Sequence, residues 1–75
     1  MLIVFYKSDG EIYRVSTGYE NLEEFFGLRA NEFAAIFDCI YVNFNEFIFR
    51  NYFKYKIDIT TRKLVASEDI KDLLN

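Results

Sequence analysis

The segment LIVFYKSDGEIYRV, residues 2–15, sets Asp9-Gly10 between two runs of β-branched and aromatic residues. That dipeptide suits a two-residue type I′ hairpin turn, whose central positions both need positive φ. Such a turn pairs Ser8 with Glu11, Tyr6 with Tyr13, and Val4 with Val15. In this register Leu2, Val4, Tyr6, Tyr13 and Val15 share one face, and Ile3, Phe5, Lys7, Ile12 and Arg14 the other. The first strand is apolar on both sides over residues 2–6 and therefore belongs inside a sheet. The second reads as its half-buried neighbour.

Beyond Gly18 the period changes. Leu22, Phe25, Phe26, Phe33, Ile36, Phe37 and Ile40 recur at three- and four-residue steps, the mark of a buried helical face. Thr17 with Glu20, and Asn21 with Glu24, have capping-box spacing. Gly27 interrupts, so two short helices near 21–27 and 30–39 compete with one continuous helix. Ile40, Val42 and Phe44 alternate with polar partners as a strand ending near 44 would. Asn43 and Glu46 would instead cap a helix with Phe44, Phe47 and Ile48 inward, so residues 44–51 are open to either form. Phe53, Tyr55, Ile57 and Ile59 alternate with Lys54, Lys56, Asp58 and Thr60 in a half-buried strand. The turn TTRK returns it through LVA. Ser67 then offers an N-cap to a short stripe of Ile70, Leu73 and Leu74. The expected architecture is one α+β domain over residues 1–75. It has an N-terminal β-hairpin, a second antiparallel strand pair, and one or two helices packed on one sheet face.

Composition narrows the chemistry. The chain of 75 residues has one cysteine, no histidine and no proline. An intrachain disulfide and the usual Cys/His zinc sites are excluded. The apolar opening is too short for a signal peptide, and a membrane span needs about 20 residues. The expectation is a cytoplasmic protein with no membrane association. Fifteen residues are Phe or Tyr and nineteen are Leu, Ile, Val or Met. A domain this small buries only about 60% of its unfolded surface. Some of these side chains are then expected to be covered by another chain.

The stretch YFKYKIDI, residues 52–59, interleaves aromatic and basic residues as a single-strand nucleic-acid platform does. Strand alternation turns Phe53 and Tyr55 away from Lys54 and Lys56, and the net charge is −3. Both argue against nucleic acid. Arg50, Tyr52, Lys54 and Lys56 would share the outer face if the strand reached back to residue 50. They are the candidate partner-binding residues, with Glu20, Glu23 and Glu24 as the acidic counterpart. Residues 1–38 hold seven acids and three bases, and residues 39–66 two acids and five bases. Segregation of this kind steers a partner or orients two copies.

Catalysis is not expected. Histidine, the commonest general base, is missing, and with it the Ser-His and Cys-His nucleophile pairs. Asp38 beside Cys39 would raise the thiol pKa, so Cys39 reads as a small buried hydrophobe. Glu20, Glu23 and Glu24 match no calcium-loop pattern and no glycine-rich phosphate loop exists, so neither cofactor nor metal is expected. The reading is a non-catalytic protein-binding module that engages another protein, a second copy of itself, or both. Small acidic domains rich in Phe, Tyr, Asn and Ile have the look of bacteriophage or mobile-element proteins. The specific expectation is an inhibitor that occupies a host protein machine in the host cytoplasm, as anti-CRISPR proteins do. A structural or accessory virion protein is the alternative, and a carboxylate-based metal-assisted hydrolase the remote one.

Overall fold

The computed structural model describes residues 1–67. The stripe of Ile70, Leu73 and Leu74 lies outside them. In chain order the elements begin with strands β1 (Leu2–Tyr6) and β2 (Ile12–Ser16) and helix α1 (Leu22–Phe26). A 3-10 turn (Gly27–Arg29), α2 (Ala30–Phe33) and β3 (Phe37–Tyr41) follow. Then come α3 (Glu46–Arg50), a second 3-10 turn (Tyr52–Lys54), β4 (Tyr55–Asp58) and β5 (Lys63–Ala66). Two antiparallel sheets result, one in the order β2-β1-β3 and one pairing β4 with β5. The architecture is a small α+β domain, as composition and periodicity imply.

Two-sided burial of β1 organises the rest. Leu2, Ile3 and Val4 are each 0% exposed. On one face Met1, Ile3 and Phe5 pack with Ile57 of β4 and, around them, Val15, Ile40, Ile48, Phe49 and Leu64. On the other, Leu2, Val4 and Phe37 meet Tyr6, Leu22, Phe25, Phe26, Phe33 and Cys39. So α1 and α2 cover one face, while α3 and the β4–β5 hairpin cover the opposite one. Alternation along β1 creates two cores separated by a single strand.

The first hairpin departs from the two-residue turn. Tyr6 N–H donates to Glu11 C=O, and Gly10 N–H donates to Tyr6 C=O, both at 2.9 Å, enclosing a four-residue loop over 7–10. Asp9 Oδ1 accepts from Glu11 N–H at 2.8 Å, so the Asp-Gly pair shapes the end of this longer loop. The strand register moves with it: Ile3 opposes Val15, Val4 opposes Arg14, and Phe5 opposes Ile12. Tyr13 has no partner and forms a β-bulge. The bulge brings Ile12 and Val15 to the Ile3 face and sends Tyr13 to the other. Val15 therefore does not share a face with Val4. Tyr6 and Tyr13 still touch edge to face at 6.0 Å, but as ring neighbours and not as a backbone pair.

Residues 30–39 are not one helix. The helix stops at Phe33, and Phe37–Tyr41 pairs along the whole of β1. Asn21 caps α1, its Oδ1 accepting from Glu24 N–H at 2.9 Å and its amide donating to Glu24 Oε1 at 3.3 Å. That is the Asn21/Glu24 spacing; Thr17 and Glu20 cap nothing. Residues 46–50 are helical, capped by Asn45 and not Asn43, with Asn45 Oδ1 accepting from Ile48 N–H at 3.0 Å. Ile48 and Phe49 turn inward, whereas Phe44 and Phe47 stay exposed.

Candidate interaction surface

Two links hold the β4–β5 hairpin against the three-stranded sheet. At one end Ile57 N–H donates to Gly10 C=O at 2.8 Å, and Glu11 bridges Lys56. Gly10 has φ +81°, and a Cβ there would lie 1.8 Å from the Ile57 carbonyl oxygen. At the other end the turn reaches the outer edge of β3. Arg62 Nη1 donates to Asp38 Oδ2 at 2.6 Å and Nη2 to Cys39 C=O at 3.0 Å, with the guanidinium over the Phe5 ring. Asp38 Oδ1 accepts from Cys39 N–H at 2.8 Å. The Cys39 backbone, which faces away from β1, is thus occupied and closed to strand addition at that point.

Arg62 has φ 60°, unusual for a residue with a Cβ. Its N–H donates to Asp58 C=O, and Asp58 Oδ1 accepts from Thr60 and Thr61 N–H, which builds the turn around it. The Arg62 hydrogen bond holds the Asp38 carboxyl below its usual range, against a smaller opposing push from burial. A carboxylate depressed in the folded state stabilises above its unfolded pKa and loses that contribution as pH falls through the folded value. Asp38→Asn is therefore expected to lower the melting temperature by a few degrees near pH 7. The gap from wild type should close in acid, below the ordinary carboxylate range. Thermal unfolding of both proteins across that range checks this; a gap independent of pH would show that the ion pair contributes nothing. Burial first, and Asp38 second, raise the half-buried Cys39 thiol above its ordinary value, which favours the protonated form.

The basic residues singled out from the sequence do not form one strand face, because the strand begins only at Tyr55. Asn51 C=O accepts from Lys54 N–H at 2.9 Å and turns residues 52–54 into a 3-10 loop. Arg50 lies on α3, paired with Glu46 at 2.9 Å, both largely exposed. Tyr52 is half-buried with its ring against Phe53, and Lys54 projects its ammonium over Phe53 at 6.0 Å. Lys56 is on β4, half-buried opposite Val65. Four residues expected on one face are thus distributed over a helix, a turn and a strand. Glu20 precedes the Asn21 cap, Glu23 and Glu24 lie in the first turn of α1, and all three are exposed. Among the described residues no group of three carboxylates or thiols could hold a metal ion.

Sequence reasoning missed the outward aromatic surface. Nine large apolar or aromatic side chains are exposed among the described residues, led by Leu28 at 106% and Phe53 at 69%. On the α1–α2 side the rings form a chain of contacts. Phe26 stacks on Phe33 at 4.3 Å and touches Phe25, Phe37 and Tyr13, and Tyr19 closes on Phe25 at 5.7 Å. Of these only Phe37 is buried; the others are open to solvent on one side. Leu28 stands at the apex of the turn between α1 and α2. The only advance signal was the size of the apolar inventory, which counts side chains without placing them.

Pocket geometry does not favour a small ligand. A shallow, open depression of about 370 Å³ lies against Asn21, Leu22, Glu23, Ala30, Asn31 and Ala34. A second, of about 330 Å³, lies between Glu11, Phe53, Tyr55 and Lys56. Neither gathers polar groups around an enclosed apolar cavity, as ligand pockets do. Among the described residues no helix is long and apolar enough to cross a membrane. Comparison with models of known protein families, with curated proteins and with solved structures finds no match to this chain.

Proposed function

We propose that this chain is a non-catalytic protein-binding module that works by covering surface, and that its partners include a second copy of itself. The observation that carries the reading is the outward display of large side chains, above all Leu28, which touches nothing in its own fold. A leucine kept wholly in water gains nothing from folding; contact with another protein removes that apolar surface from water. The half-open rings around Phe26 offer rigid aromatic area of the kind that anchors interfaces. An inhibitor that occupies a host machine is the specific form of this activity that the small acidic, aromatic chain suits best.

Self-association is measurable without knowing any other partner. Sedimentation velocity at tens of micromolar should show species heavier than the monomer, increasing with concentration. Leu28→Glu should leave the melting temperature unchanged, because the side chain packs against nothing, and should shift the protein to monomer. A wild type that stays monomeric throughout would remove self-association from the proposal.

A further inference from the structure

We propose that the Arg62–Asp38 clasp guards an open sheet edge, and that displacing it lets β3 pair antiparallel with β3 of a second copy, about a two-fold axis at Cys39. The backbone pattern identifies the edge. Met1 and Val42 exchange hydrogen bonds, the terminal ammonium donating to Val42 C=O at 2.7 Å and Val42 N–H to Met1 C=O at 3.0 Å. In an antiparallel ladder such bonded pairs alternate with unbonded ones. Ile40 and Asp38 therefore aim their backbone groups at β1, while Phe37, Cys39 and Tyr41 aim theirs outward. At the far end Lys7 N–H donates to Ile36 C=O at 2.9 Å, which keeps the same alternation.

Native sheets blunt their edges with bulges, lysines, prolines or short strands. Strand β2 carries the Tyr13 bulge and meets β4 where Glu11 bridges Lys56. Strand β5 is four residues long and opens with Lys63. Strand β3 has none of these devices: it runs five residues in unbroken register with β1, and its one charged residue is Asp38. Among the described residues the clasp is what closes it. Arg62 Nη2 occupies Cys39 C=O and Asp38 Oδ1 occupies Cys39 N–H, so both outward groups at the middle of the strand are held by side chains. Those side chains are 51% and 34% exposed. Ion pairs this open contribute little to stability, so the clasp can be released with both cores intact. A second copy fits the freed edge. A two-fold axis at Cys39 sets Cys39 opposite its equivalent and Phe37 opposite Tyr41 twice over, and aromatic cross-strand pairs favour that register. Asp38 then faces Ile40 of the other copy, so no like charges are opposed. The contact uses one patch from each subunit and closes at a dimer.

Asp38→Ala/Arg62→Gly opens the edge while keeping the turn, because glycine suits the φ of 60° at position 62. Asp38→Ala/Arg62→Asn does the same, since asparagine tolerates that region and is too short to reach Cys39. Both are made in the Leu28→Glu background, where association through Leu28 is suppressed. Circular dichroism should show them folded. Each is expected to dimerise roughly tenfold or more tightly than Leu28→Glu alone. Amide hydrogen exchange at Phe37 and Tyr41 should slow as protein concentration rises. Val65→Ala in the same background lowers stability with the clasp intact and should do neither. Folded variants that sediment like Leu28→Glu alone, or that associate without slowing exchange at those two amides, overturn the proposal. So does equal association by Val65→Ala, which would make lost stability the cause, and so does loss of fold in both opened variants, which would make the clasp a structural support. The two amides report on β3 alone, so failure here leaves the Leu28 reading standing. Persistent association of Leu28→Glu by itself counts only against that reading.

Discussion

Gly10→Val is expected to unfold most of the protein at room temperature, whereas Gly18→Val should leave it folded. Both glycines have strongly positive φ, +81° and +88°, so the backbone strain imposed by valine is similar, on the order of 1–3 kcal/mol. They differ in surroundings. A Cβ on Gly18 meets nothing within 4 Å, while one on Gly10 would stand 1.8 Å from the Ile57 carbonyl oxygen. That obstacle is backbone and cannot swing aside. Relief requires breaking the bond between Ile57 N–H and Gly10 C=O and lifting β4 from the sheet. Domains of this length are stable by roughly 4–11 kcal/mol, so strain and lost docking together consume most of it. Urea unfolding of the two variants gives the comparison. Equal costs would mean that the Gly10–Ile57 contact is incidental and only the turn conformation matters.

The second large effect is expected at Ile57 itself. It is 1% exposed, and among the described residues it is the only buried side chain that β4 and β5 contribute to the core. Truncating a fully enclosed isoleucine to alanine costs about 2–5 kcal/mol through lost transfer energy and the cavity left behind. Val65, half-buried on the partner strand, is the control, and Val65→Ala should cost less than half as much. Chemical denaturation checks the ratio. Comparable losses would indicate that the hairpin is held by distributed contacts and not by one plug.

These two residues also explain where the sequence was legible and where it was not. Apolar character on both sides of residues 2–6 marks a central strand whatever its partners, and the structure places β1 there. The TTRK return and the Asn21 cap depend on neighbours within four residues and were legible for the same reason. The hairpin register was not, because it depends on Gly10 meeting β4, some 47 residues along the chain. Phe33, Ile36, Phe37 and Ile40 fit helical spacing, yet a strand that packs apolar residues on both faces has no clear period, and β3 sends Phe37 and Cys39 to one core and Ile40 to the other. The basic face failed through local turn formation: Asn51 arrests the chain just before the alternating stretch, so alternation begins later than the residue pattern suggests. The first-turn placement of Glu23 and Glu24 was legible because the local Asn21 cap sets where the helix starts. The aromatic surface was not, because it is assembled from β2, α1, α2 and β3.

The bulge at Tyr13 bears on how such a chain could change over generations. Without that residue, Ile12, Arg14 and Val15 would run consecutively and still oppose Phe5, Val4 and Ile3, with regular alternation and no slip of register. Tyr13 is therefore a position where the ladder tolerates a one-residue deletion or insertion, although the same event within β1 would exchange the two cores. What the extra residue adds is a ring 4.6 Å from Phe37 and 6.4 Å from Phe26, at the outer margin of the aromatic surface. Lineages could gain or lose that margin, and with it a preference among partners, while the buried framework is inherited unaltered.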